Sequence, residues 1–210
     1  MEFFGELETH LTICLTESKS IEDLRDWGTP RGLKCLHIVL EQGEVCSQPM
    51  LTRRTTGKLT GEIDAAESLK NLLIADGFTV SRIKIEAAPW NEDVPQSAAE
   101  IVRYSPLRYF ESHTRIICDK ETDKIVLIET VTKHSAHLSR NALRRREDGL
   151  EERFITQRCR TGGYAESLSQ LNALLREIRG LGYTVIDVEE EYVVYDSNLE
   201  IDAGWIPTKG

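Results

Sequence analysis

The chain is poor in the features that assign a protein quickly. It has 26 Lys and Arg against 35 Asp and Glu, a formal net charge of −9 over 210 residues. That balance excludes a general polyanion binder, whose affinity comes from cations displacing phosphate counterions. Nucleic acid is therefore expected only as a nucleotide or an RNA end. No apolar run approaches the ~20 residues of a membrane-spanning helix. The first residues include Glu2, Glu6 and Glu8 rather than the basic and then apolar pattern of a secretory signal. A cytoplasmic protein without a membrane partner is the expectation. Five cysteines, an odd number with no tight spacing, fit free thiols better than a disulfide framework. There is no Walker loop, no dinucleotide glycine fingerprint and no Gly-x-Ser-x-Gly elbow.

What the chain does have is repetition. Glu8-Thr9-His10 returns as Glu111-Ser112-His113, Thr52-Arg53-Arg54 as Thr156-Gln157-Arg158, and Gly77-Phe78-Thr79-Val80 as Gly182-Tyr183-Thr184-Val185. The offset stays close to half the chain, so two related halves are expected. In the first, His10 to Leu15 alternates like a half-buried strand, and Ser20 caps a short helix ended by Gly28-Thr29-Pro30. Strands follow at Leu33–Leu40 and Met50–Thr55. A helix capped by Asp64 then stops at Gly77, and a strand runs from Phe78 to Ala87.

The second half offers strands at Glu111–Cys118, Arg153–Cys159 and Tyr183–Tyr195 and a helix at Tyr164–Arg179. Position requires another helix at Lys124–His134, although its Ile, Val and Thr residues prefer strands. The order β-α-β-β-α-β is that of a ferredoxin-like unit. The expected fold is α+β: two tandem ferredoxin-like repeats with antiparallel sheets, related by a pseudo-two-fold. Residues 1–90 form the first repeat, 91–107 a linker with a short helix near Ala98–Tyr104, and 108–210 the second repeat with a C-terminal clasp. Trp205 serves as lid or clasp.

Strand parity sorts the repeated polar residues. Thr52 and Arg54 share a face, as do Thr156 and Arg158. Arg82, Lys84 and Glu86 share another, matched by Asp187, Glu189 and Glu191. If helices cover the apolar faces, the polar faces meet across a cleft. There Thr52, Arg54, Thr156 and Arg158 would bind an anionic, phosphorylated ligand, since guanidinium and hydroxyl donors suit phosphate. His10, His113 or His137 would serve as acid and base, with Glu86 and Glu191 orienting them or acting as bases. Two readings stay open: an enzyme on an anionic small molecule, and a non-catalytic ligand- or protein-binding module. No cofactor is required by these residues. The set His10, Glu86, His113 and Glu191, and Cys35-x-His37 with Cys46, are metal candidates. The first set resembles the paired His/Glu ligands of vicinal-oxygen-chelate enzymes. Neither has a tight local chelate, so ordinary hydrogen-bonded histidines are expected instead. Arg140, Arg144, Arg145 and Arg146, followed by acidic residues, read as a solvated face.

His10-Leu11-Thr12 and His137-Leu138-Ser139 each fit a His-x-Thr/Ser motif. With the duplicated architecture, the chain resembles the two-histidine phosphoesterases, the superfamily of RNA cyclic phosphodiesterases. That resemblance implies one histidine as base, one as acid and hydroxyls on the phosphate. The repeat itself pairs His10 with His113, while His137 falls near the counterpart of His37. The strings His137-Leu138-Ser139-Arg140-Asn141-Ala142, Phe154-Ile155-Thr156-Gln157-Arg158, Val194-Tyr195-Asp196-Ser197-Asn198 and Asp202-Ala203-Gly204-Trp205 resemble signatures of an uncharacterised family, which implies fold and no activity.

Overall fold

The computed structural model describes residues 2–119, 124–144 and 146–205. Arg145 of the basic run and residues 206–210 of the tail lie outside these. The first half runs β1 (Phe4–Cys14), α1 (Ile21–Gly28), β2 (Lys34–Leu40), β3 (Ser47–Lys58), α2 (Leu59–Ala75) and β4 (Thr79–Ala87). A short helix, α3 (Ala98–Ile101), lies in the joint. The second half runs β5 (Tyr109–Cys118), α4 (Lys124–Lys133), β6 (Ala136–Asn141), β7 (Glu151–Cys159), α5 (Tyr164–Gly180) and β8 (Thr184–Asp196).

Within the halves the strand orders are β4-β1-β3-β2 and β8-β5-β7-β6, the ferredoxin-like order in each. The edges do not stay open. β2 pairs with β6 and β4 with β8, closing one antiparallel barrel of eight strands. The expectation of two sheets facing across a cleft is corrected here. Each half ends in two edge strands with unpaired backbone groups, and joining edge to edge satisfies both. The polar faces thus become the inner wall of a barrel.

Apolar residues on the outer face of the strands receive the helices. Leu11, Ile13 and Leu51 pack with Leu24 of α1 and Leu73 of α2. In the second half, Ile116, Leu138 and Ile155 pack with Leu127 and Val131 of α4 and Leu174 and Ile178 of α5. A third cluster, including Ile83, Ile85, Tyr192 and Val194, seals the β4–β8 seam.

Local chemistry explains the helix limits. Ser20 caps α1, accepting from Asp23 N, and the Asp23 carboxylate accepts from Ser20 N at 2.8 Å. The start expected at Asp64 is corrected: α2 begins at Leu59, with Lys58 at its N-cap. Leu59 and Glu62 of the first turn are both buried, and the Glu62 carboxylate accepts from Thr9, Arg53 and Thr55, so these contacts extend the helix back past Asp64. In α4, Leu127 and Val131 are fully buried one turn apart, and that burial overrides β-branching. No helix among the described residues is long and apolar enough to cross a membrane.

Candidate functional site

Register places the candidate side chains in two rows on the inner wall. Lys84, His10, Thr52 and Lys34 lie side by side across β4, β1, β3 and β2. Glu189, His113, Thr156 and His137 lie side by side across β8, β5, β7 and β6. Two residues further along come Glu86, Glu8 and Arg54 in one half and Glu191, Glu111 and Arg158 in the other. His10 and His113 therefore hold corresponding ladder positions. The position of His137 is held in the first half by Lys34, not by a residue near His37.

The lumen contains a cavity of about 310 Å³ reached by His10, His113, His137, Thr156, Arg54 and Glu191. Glu86 instead borders an open depression at the mouth, shared with Glu8, Arg54 and Glu191. Thr52 is buried, its hydroxyl donating to Glu8 at 2.8 Å. His37 bonds Ser47 and His134 faces Glu177, both outside the lumen.

A chain of alternating charge runs through the wall. His10 Nε2 is 2.7 Å from one Glu86 oxygen, and Lys84 Nζ is 2.7 Å from the other. Lys84 also donates to Glu111 at 3.2 Å, and Arg158 Nε donates to Glu111 at 2.9 Å. Burial alone would push the Glu86 carboxyl up, but Lys84 and then His10 hold it down at about 2. Glu111 is likewise driven well below the usual carboxylate range, Arg158 and Lys84 outweighing burial.

His113 is held from both sides. Its Nδ1 shares a hydrogen bond of 3.0 Å with the Thr156 hydroxyl, while Nε2 lies 3.4 Å from both Glu111 and Glu191. Burial opposes its charge, yet Glu191 and Glu111 lift its pKa to about 9. Burial and the neighbouring Glu86 charge push Glu191 up to about 7, against the pull of His113. An acid and a base thus sit in contact with their pKa values on either side of pH 8.

His137 differs in kind. It is 5% exposed, among the described residues neither ring nitrogen has a hydrogen-bond partner of ordinary geometry, and its ring packs 4.0 Å from that of Trp205. Burial, reinforced by Arg158, pushes its pKa down to about 3, so it is neutral at physiological pH.

The expected arginine clamp does not form. Arg54 lies exposed at the mouth, paired with Glu8 and Glu189. Arg158 is buried behind the cavity, stacked on Tyr109 and Trp205 and paired with Glu111 and Asp202. A tail clasp stoppers this end of the barrel. Asp202 lies 3.1 Å from Arg82 and 2.8 Å from Arg158, and Ala203 O accepts from Glu44 N at 2.9 Å. Trp205 closes over Gly43, whose φ of +124° suits glycine and where a Cβ would meet the indole at 2.9 Å.

Parity was sufficient to find Glu8, Glu111 and Lys84, since each lies two residues from a chosen histidine or glutamate. Repetition of the Glu-x-His string marked Glu8 and Glu111 directly. Asp202 and Asp196, which pair with Arg82, carried no such signal. Glu86, His113 and Glu191 offer ligand atoms within 4.8 Å of one another, as do Glu8, Glu189 and Glu191, so either trio has the spacing to hold an ion. The Lys84 ammonium already supplies a positive charge at Glu86. Cys35, His37 and Cys46 are not among these groups.

No protein-family model and no curated protein matches the chain. Similar solved structures include a variant of chlorite dismutase from Candidatus Nitrospira defluvii, at 10% identity over 91% of this chain and 92% of that one, with a TM-score of 0.29. A second protein assigned as a chlorite dismutase aligns at 14% identity over 91% and 95% of the two chains, with a TM-score of 0.28.

Proposed function

We propose that the barrel binds a small anionic molecule in its lumen and moves a proton on it, with His113 as acid and Glu191 as base. The reading takes the two halves as repeats whose inner rows have diverged, one toward cations at Lys34 and Lys84, the other toward His137 and Glu189. The observation that carries it is the buried imidazole of His137 on the wall of an open cavity, where among the described residues neither ring nitrogen has a hydrogen-bond partner of ordinary geometry. A buried polar group without a partner costs roughly 1–3 kcal/mol, which a bound ligand recovers. Near pH 8 the imidazolium of His113 and the carboxylate of Glu191 stand ready to give and take a proton within one contact. His10, fixed by Glu86, flanks them. Phosphoesters are the first substrates to test, since an ester oxygen leaving phosphorus needs a proton and an attacking water must lose one.

The test is a titration with phenyl phosphate and with adenosine 2′,3′-cyclic phosphate, followed by the imidazole resonances of His113 and His137 and by product release. Saturable shifts at both rings are expected, with turnover that falls about 100-fold in Glu191→Gln and His113→Ala. Shifts confined to surface histidines would overturn the binding; unchanged turnover in both variants would overturn the assigned acid and base.

A further inference from the structure

The lumen wall is not uniform around its circumference. In the closed strand order β2 stands half-way round from β8. The inward row of β8 is Asp187, Glu189 and Glu191, whereas the inward row of β2 is Lys34 followed by Leu36, Ile38 and Leu40. Met50 on β3 and Phe154 on β7 extend the apolar side. Leu36, Ile38, Met50 and Phe154 are only partly buried. Their uncovered surface faces the cavity rather than a helix, because Cys35, which alternates with Leu36, packs in the outer cluster.

Charge along the lumen is nearly balanced, and most of it is internally paired. Arg54 answers Glu8 and Glu189, Arg115 answers Asp187, and Lys84 answers Glu86 and Glu111. Lys34 is different. Among the described residues no carboxylate pairs with its ammonium, and it stands at the start of the apolar row. From Lys34 to Leu40 a strand rises roughly 20 Å, and the row ends near Ser139 of β6 on the side stoppered by Trp205.

We propose that the occupant is an amphipathic monoanion: an apolar chain or ring lying along Leu36, Ile38 and Leu40, with one singly charged acidic head on Lys34. This deepens the reading above and rests on it. A compact polyphosphate or sugar phosphate would leave the apolar row uncovered and would meet more carboxylates than unpaired cations. An apolar body removes the uncovered surface of Leu36 and Ile38 from water, and a single negative charge matches the Lys34 ammonium, which no carboxylate pairs among the described residues.

The experiment measures affinities of the full chain for hexanoate, octanoate and decanoate, with ribose 5-phosphate, inorganic phosphate and decanol as comparisons. It reads heat of binding together with the imidazole resonances of His113 and His137. Affinity is expected to rise roughly fourfold per methylene, the gain from taking one CH₂ out of water. Lys34→Met should weaken decanoate more than fivefold and leave decanol unchanged. Ile38→Ser and, as a second site, Leu36→Ser should each flatten the chain-length series, with thermal melting confirming the fold. Equal affinity along the series, or tighter binding of ribose 5-phosphate or phosphate than of decanoate, overturns the proposal and leaves an anion-binding lumen standing. Binding of no anion by any of these readouts overturns both.

Discussion

Thr156 and His113 are cross-strand partners on β7 and β5, and the threonine hydroxyl holds Nδ1 of the imidazole at 3.0 Å. The contact fixes the ring so that Nε2 addresses Glu191 and Glu111, and it makes Thr156 a positioning residue. Thr156→Val should lower turnover by about tenfold through misorientation of the ring. Protein stability should fall by about 1 kcal/mol for the lost hydrogen bond. Thr156→Ser should restore both, whereas a merely structural threonine would give no rescue of rate by serine beyond the rescue of stability. Steady-state kinetics and urea unfolding on the two variants decide it.

The pH dependence has a definite sign. His113 has its pKa raised from an ordinary 6.5 to about 9, so its contribution to stability is complete below about 6.5 and is lost as pH rises through about 9. Glu191 is raised from 4.5 to about 7, so the fold favours its neutral form and loses that contribution as pH rises through about 7. Both push stability down as pH rises, Glu191 between about pH 4.5 and 7 and His113 between about pH 6.5 and 9. Glu191→Gln should flatten the acid half of that decline and lower the His113 titration midpoint. Urea midpoints across the range, with imidazole titration by NMR, check both.

Lys84 joins two buried carboxylates, Glu86 at 2.7 Å and Glu111 at 3.2 Å. Lys84→Met leaves both without that partner and should cost about 3–5 kcal/mol, the usual penalty for breaking a buried ion pair on one side. The double change Lys84→Met with Glu86→Gln should recover part of the loss. Thermal melting of the single and double variants measures the coupling.

Trp205 covers His137 and Arg158 from the tail, and it is nearly buried. Trp205→Ala should cost about 3 kcal/mol as a large-to-small change at a packed site. It should also open the stoppered end, so that diethyl pyrocarbonate modifies His137 faster than in the parent. Gly43→Ala, which drives a Cβ toward the indole, should act in the same direction and more weakly. Mass spectrometry of the modified peptide reports the rate.

Much of the fold was legible because strand faces follow the two-residue period. Alternation set the inner faces of β1, β3 and β4, and the recurring Glu-x-His string aligned His10 with His113, as the ladders show. The helix at α4 was legible only from position, since its β-branched residues argue for a strand until Leu127 and Val131 are seen buried together. Barrel closure had no local signal: the β2–β6 and β4–β8 pairings join residues far apart in sequence and reflect edges finding partners. The site was partly legible. Parity put Arg54 and Arg158 on inner faces at matching positions, but it could not separate a residue at an open mouth from one capped by a tail. Asp202 and Trp205 make that difference, and neither belongs to the repeated strings. Solvent exposure of the two arginines follows from the tail rather than from their own strands.

The most direct measurement is an NMR titration of histidine-labelled protein with decanoate at pH 8. Saturable shifts of His113 and His137 with one dissociation constant, weakened by Lys34→Met, are expected, while His37 and His134 outside the lumen stay still. Motionless lumen resonances in folded protein at saturating decanoate, or equal shifts at all five histidines, would contradict it.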